Sequence, residues 1–140
     1  MASWLVKTEP GEYSWADLVR ERKTHWDGVT NPQAQLNLRT MAKGDTVVVY
    51  HSQTDKAAVG IAKVVKAGYP DPTDEAGKRV WVDIAPVEAL PRAVTLAEMK
   101  ADPTFATSPL VRQSRLSVVP LNDEQLAAIV RLAAVTTQTG

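Results

Sequence analysis

Two apolar, β-branched runs, Thr46–His51 and Ala58–Val65, stand on either side of a polar turn at Gln53–Lys56. Runs of this kind, bounded by turn residues, read as strands, and so short a gap cannot hold a crossover, so the two form an antiparallel hairpin. Gly60, inside the second run, marks a bulge or a close backbone approach.

Around that ribbon the chain alternates short strands with helix starts. Trp4–Thr8 reads as a strand with Trp4, Val6 and Thr8 facing one way and Leu5 and Lys7 the other, ended by Glu9-Pro10-Gly11. Val80–Leu90 is the longest strand candidate and Ser117–Val119 a short one. Gly68–Gly77 contains Tyr69-Pro70-Asp71-Pro72 and is expected to be a loop, because two prolines deny it regular pairing. Ser14 and Asp17 form a capping box, stapled by Tyr13 and Leu18, for a helix running to about Arg22. Asn31-Pro32 starts a second helix, with Ala34, Leu38 and Met41 at helical spacing and Lys43-Gly44 closing the segment. Thr95 and Glu98 box a third, stapled by Val94 and Met99 and limited by Pro103. Asn122 caps the last, with Leu126, Ile129, Val130 and Ala133 on one stripe.

A chain of 140 residues predicts one domain, over 1–134, with a frayed, small and polar tail at 135–140. Five strands interspersed with four short helices, and no long crossover helices, predict an α+β fold. The expected form is a small, mostly antiparallel, barrel-like sheet with helices packed at its ends.

The absence of cysteine excludes disulfides, Cys-ligated zinc, iron–sulfur clusters and thiol nucleophiles, and fits a reducing compartment. Sixteen basic residues balance sixteen acidic ones, which argues against nonspecific coating of nucleic acid and leaves room for a small basic site. No apolar run approaches membrane length, and the first residues lack the marks of a secretory signal, so a cytoplasmic protein is expected. Neither His25 nor His51 sits in a zinc spacing, and no Gly-rich phosphate loop or Gly-x-Ser-x-Gly elbow occurs. No metal, cofactor or catalytic constellation is therefore expected. Glu9 and Asp27, carboxylates near aromatics, are the candidates should acid–base work be done.

Four of the eight aromatic residues are Trp, and an indole face is a strong stacking surface for a planar base. Trp4, Trp15 and Trp81 fall inside regular elements and read as core. Trp26 lies between two helix candidates, beside His25, Asp27 and Gly28, in a stretch without periodicity, so stacking duty and core duty are both open. Asn31 is either a plain cap or an amide that reads a base edge. His51 and Ser52 end a strand at a hairpin mouth, as ordinary turn residues or facing a cleft. From Thr104 to Leu121 there is no Asp or Glu, and Arg112, Ser114, Arg115 and Ser117 fall in that stretch. Guanidinium beside hydroxyl suits phosphate, although a solvated loop has the same composition.

Several blocks together carry a family pattern. They are Trp4-Leu-Val-Lys-Thr-Glu-Pro, Tyr13-Ser-Trp, Trp26-Asp-Gly-Val-Thr-Asn-Pro-Gln-Ala, Gly44-Asp-Thr-Val-Val-Val-Tyr-His-Ser, Gly60-Ile-Ala, Tyr69-Pro-Asp-Pro-Thr, Trp81-Val-Asp and Ser114-Arg-Leu-Ser. In this order they resemble the EVE domain family of the PUA-like superfamily, over residues 3–132. The resemblance implies a bent β-barrel flanked by helices and similarity to YTH domains, which read methylated adenine. It implies a non-catalytic domain that holds a flipped-out, modified nucleobase, such as a modified cytosine in DNA, in an aromatic pocket. By the same resemblance Trp26 is an aromatic wall, and Lys7, Thr8, Asn31, His51 and Ser52 line or approach the pocket. Tyr69 and Pro70 sit in a loop able to close over the base. Arg115 holds a backbone phosphate, with Ser114, Ser117 and Arg112 beside it. The implied partner is nucleic acid carrying a modified base, DNA before RNA, bound by a monomer. An RNA-binding accessory module, and an enzyme acting on a modified nucleotide or small ligand, stay open as alternatives.

Overall fold

The computed structural model describes residues 2–27, 29–53 and 55–134, so the tail expected at 135–140 lies outside the described residues. The elements run β1 (Ser3–Thr8), α1 (Trp15–Glu21), β2 (Thr24–Trp26), α2 (Pro32–Thr40), β3 (Thr46–His51), β4 (Ala57–Pro70) and β5 (Val80–Thr95). Then come α3 (Leu96–Ala101), a single 3-10 turn (Pro103–Phe105), α4 (Pro109–Arg112), β6 (Val118–Leu121) and α5 (Asp123–Ala134).

The strands form one six-stranded sheet in the order β2-β5-β4-β3-β1-β6. The β3–β4 hairpin is present as expected, and β5 extends it antiparallel. β1, however, pairs parallel with β3, the return being made through α1, β2 and α2. The expected barrel is not formed: the α+β class holds, but the sheet is mixed and open, with β2 and β6 as its two edges. The edges are short, three and four residues, and α2 lies against β6 at one edge and against β5 and β4 toward the other. The Gln35 amide donates to the Val29 carbonyl at 2.8 Å and accepts from the Val80 amide at 2.9 Å, while Asn37 Nδ2 donates to the Val118 carbonyl at 2.7 Å. These buried amides satisfy backbone groups that strand pairing would satisfy in a closed barrel.

Core strands β1 and β3 are buried on both faces, from Ser3 to Val6 and from Val47 to Tyr50. The capping boxes at Ser14 and Thr95 and the cap at Asn31 all form as the sequence predicts. On α5 the buried face is Gln125, Ala128, Ile129 and Ala133. Val130, expected on that stripe, is exposed, because one residue turns the helix by about 100° away from Ile129. Gly60 is both a bulge and a close approach: the register slips between Ala58 and Gly60, and a Cβ there would lie 2.5 Å from the Trp15 ring. The β4–β5 ribbon slips register at four places, which bends it. β4 also runs further than expected: Tyr69 and Pro70 pair with Trp81 and Val80, so the loop begins after Pro70, at a strand end where a missing N–H is tolerated.

Candidate functional site

A cavity of about 840 Å³ is bordered by both edges of the open sheet. Thr24, His25 and Trp26 of β2 form one side, and Ser114, Arg115 and Ser117, on the approach to β6, form the other. The end of β1 contributes Lys7 and Thr8, and Tyr13 and Ser52 complete the wall. This volume falls within the range of pockets that enclose small organic groups.

Trp26 takes one of the two roles the sequence leaves open, that of core. It is 7% exposed and packs in the core, yet it borders the cavity. Its ring meets Tyr13 edge-on, with centroids 6.3 Å apart and planes at 84°. It is held by the pairing of Trp26 with Val82 and by Gln35, which ties Val29, just beyond β2, to the start of β5. Its neighbour His25 also borders the cavity and stacks on Trp81, with centroids 4.2 Å apart and planes at 13°.

Lys7 positions the opposite side. Its backbone amide donates to the Ser117 carbonyl at 2.9 Å, and its ammonium donates to the Ser114 carbonyl at 2.9 Å. Burial lowers the Lys7 pKa from the ordinary lysine value. The Thr8 hydroxyl donates to the Tyr13 carbonyl at 2.7 Å, so it fixes the wall. Arg115 is exposed and has no partner among the described residues, so its guanidinium is available for an anion. Burial also raises the Tyr13 pKa, with Glu21 accepting from its hydroxyl at 2.9 Å.

Five residues expected at the site lie outside this cavity. Asn31 is a cap: its Oδ1 accepts from the Ala34 amide at 3.0 Å. His51 Nε2 accepts from the Trp15 amide at 3.0 Å, so its Nδ1 carries the proton toward Asp55 Oδ2, also at 3.0 Å. Tyr69 and Pro70 are in β4 rather than in a closing loop. The Tyr69 hydroxyl donates to Asp83 at 2.5 Å, and the Lys66 ammonium sits 4.2 Å from the centre of its ring. Burial and that carboxylate push the Tyr69 pKa up to about 12. Arg112 borders a smaller, adjoining hollow together with Asn31.

Conversely, Tyr13, Glu12, Thr24 and Gln53 border the cavity without having been singled out for it. For Tyr13 the signal was in plain view, since a staple aromatic ahead of a cap must face the packed side of its helix. Gln35 and Asn37 flank the apolar stripe of α2, and a buried amide there is a signal of buried backbone to be satisfied. The two carboxylates weighed for acid–base work are engaged: Glu9 accepts from Gln53 at 3.1 Å, and Asp27 lies 3.2 Å from His25 Nε2. Among the described residues no group of three His, Cys, Asp or Glu is placed to hold a metal, and no helix is long and apolar enough to cross a membrane.

The EVE domain family model matches residues 2–132. Human thymocyte nuclear protein 1 is 30% identical, over 92% of this chain and 72% of its own. A protein from Rhodopseudomonas palustris, solved by NMR, is 40% identical with a TM-score of 0.91, covering 99% of this chain and 97% of its own. Human THYN1, crystallised in complex with 5-methylcytosine containing DNA, is 29% identical with a TM-score of 0.89, covering 97% of this chain and 99% of its own. The curated relatives are nuclear by name, which corrects the expectation of a cytoplasmic protein.

Proposed function

Because the chain belongs to the EVE domain family, we propose that it binds DNA by holding one flipped-out, modified base, such as 5-methylcytosine, in the cavity against Trp26. No chemistry is done on the base. The observation that carries this is that the Trp26 indole and Arg115, which has no partner among the described residues, border one cavity of about 840 Å³. A base inside a duplex shows only its edges, so a pocket that encloses it must extrude it, at a cost of a few kcal/mol. Stacking on an aromatic face offsets roughly 1–3 kcal/mol of that. A buried methyl carbon adds about 0.8 kcal/mol, which is about fourfold in affinity.

The test is a titration of folded protein with single-stranded DNA oligonucleotides that differ only in carrying 5-methylcytosine or cytosine. The expected result is a preference of about fourfold or more for the methylated oligonucleotide. Equal affinity for the two would refute the reading.

A further inference from the structure

A second hollow, of about 350 Å³, adjoins the cavity and shares Ser114 and Arg115 with it. The two differ in charge. Glu9, Glu12 and Asp27 border the cavity, whereas the hollow's lining has Arg112, Arg115 and side-chain amides such as Gln113, and no acid. A strand carries one negative charge per phosphate, so carboxylates repel it and guanidinium groups draw it in. Arg112 Nε donates to the Ala106 carbonyl at 3.0 Å, which fixes the group and leaves its terminal nitrogens without partner among the described residues.

We propose that this hollow is the subsite for the nucleotide next to the flipped base on the same strand. Arg115 meets the phosphate between the two nucleotides and Arg112 the one beyond. The strand therefore leaves the pocket on one side only, away from the three carboxylates, and affinity depends on nucleotides to that side. The inference rests on the base-binding reading above.

The experiment uses single-stranded DNA oligonucleotides with one 5-methylcytosine, shortened step by step from the 5′ or the 3′ side, against the full chain and its Arg112→Gln variant. Shortening from one side is expected to lower affinity about tenfold, as loss of a charge-assisted contact does, and from the other side less than about twofold. In Arg112→Gln the step that removes the second phosphate becomes neutral while the step that removes the first keeps its cost, and the slope of log K against log salt falls by about 0.7. Equal losses from both sides, or a cost for removing the second phosphate that is the same in Arg112→Gln as in the unaltered chain, would overturn the subsite while leaving the preference for the methylated base intact. Loss of that preference in the unshortened oligonucleotide would overturn both.

Discussion

The sheet buries one tryptophan on the inner strand β1 and another on the edge strand β2 to nearly the same depth, Trp4 at 5% and Trp26 at 7% exposure, but the two are satisfied differently. Trp4 Nε1 donates to Asp45 Oδ2 at 3.0 Å, and the same buried carboxylate accepts from the Ala2 and Ala42 amides. The Trp26 indole N–H has no hydrogen-bond partner among the described residues, and its ring borders a cavity beside Tyr13. Depth of burial thus does not separate core from site. What separates this pair is that the Trp4 indole N–H is bonded to Asp45 and the Trp26 ring borders a cavity.

The largest expected effect lies at the centre. Asp45→Ala strands three N–H donors and should cost about 3 kcal/mol of stability in chemical denaturation, with the ratio of methylated to plain DNA affinity unchanged. A changed ratio would break the distinction between centre and edge. Gly60→Ala should cost about 2 kcal/mol, because its Cβ would press on the Trp15 ring, and a smaller loss would mean that Trp15 shifts freely. At the edge, Trp26→Phe should weaken methylated-DNA binding about tenfold by loss of stacking area. A phenylalanine is the useful probe, since truncating a buried Trp to Ala costs roughly 3–5 kcal/mol and confuses folding with binding.

The smallest effect lies outside the cavity. The Arg92 guanidinium, and then the Thr95 amide, hold the Glu98 carboxyl down at about 2, below its ordinary 4.5. A depressed carboxyl contributes stability that is present above its unfolded value and lost as pH falls through its folded one. Glu98→Gln should therefore flatten the fall in melting temperature between about pH 5 and pH 2 and leave DNA binding at neutral pH unchanged. An unaltered acid limb would show that the pair contributes nothing.

The centre of the molecule was legible because hairpin runs and capping boxes are local: Thr46–His51, Ser14 with Asp17, and Thr95 with Glu98 all form where the pattern puts them. The edges were not. Thr24–Trp26 is too short to show a period of two, and the parallel pairing of β1 with β3 leaves no local trace. The open sheet follows from those two features. At the site, Trp26, Lys7, Thr8, Ser52, Ser114, Arg115 and Ser117 were identified from the sequence and are brought to one cavity. Asn31 takes the cap role that the sequence also offered, its Oδ1 accepting from the Ala34 amide, whereas the bond from the Trp15 amide to His51 depends on backbone positions that composition does not reveal.

Indole N–H resonances give the most direct test of that contrast, because each of the four tryptophans reports separately in a nitrogen-proton spectrum once assigned by single Trp→Phe variants. On titration with single-stranded DNA carrying one 5-methylcytosine, the Trp26 signal should move and saturate at one oligonucleotide per chain while the Trp4 signal stays in place. A Trp26 signal unmoved at saturation, or a Trp4 signal that moves as far, would contradict the assignment of the edge tryptophan to the base.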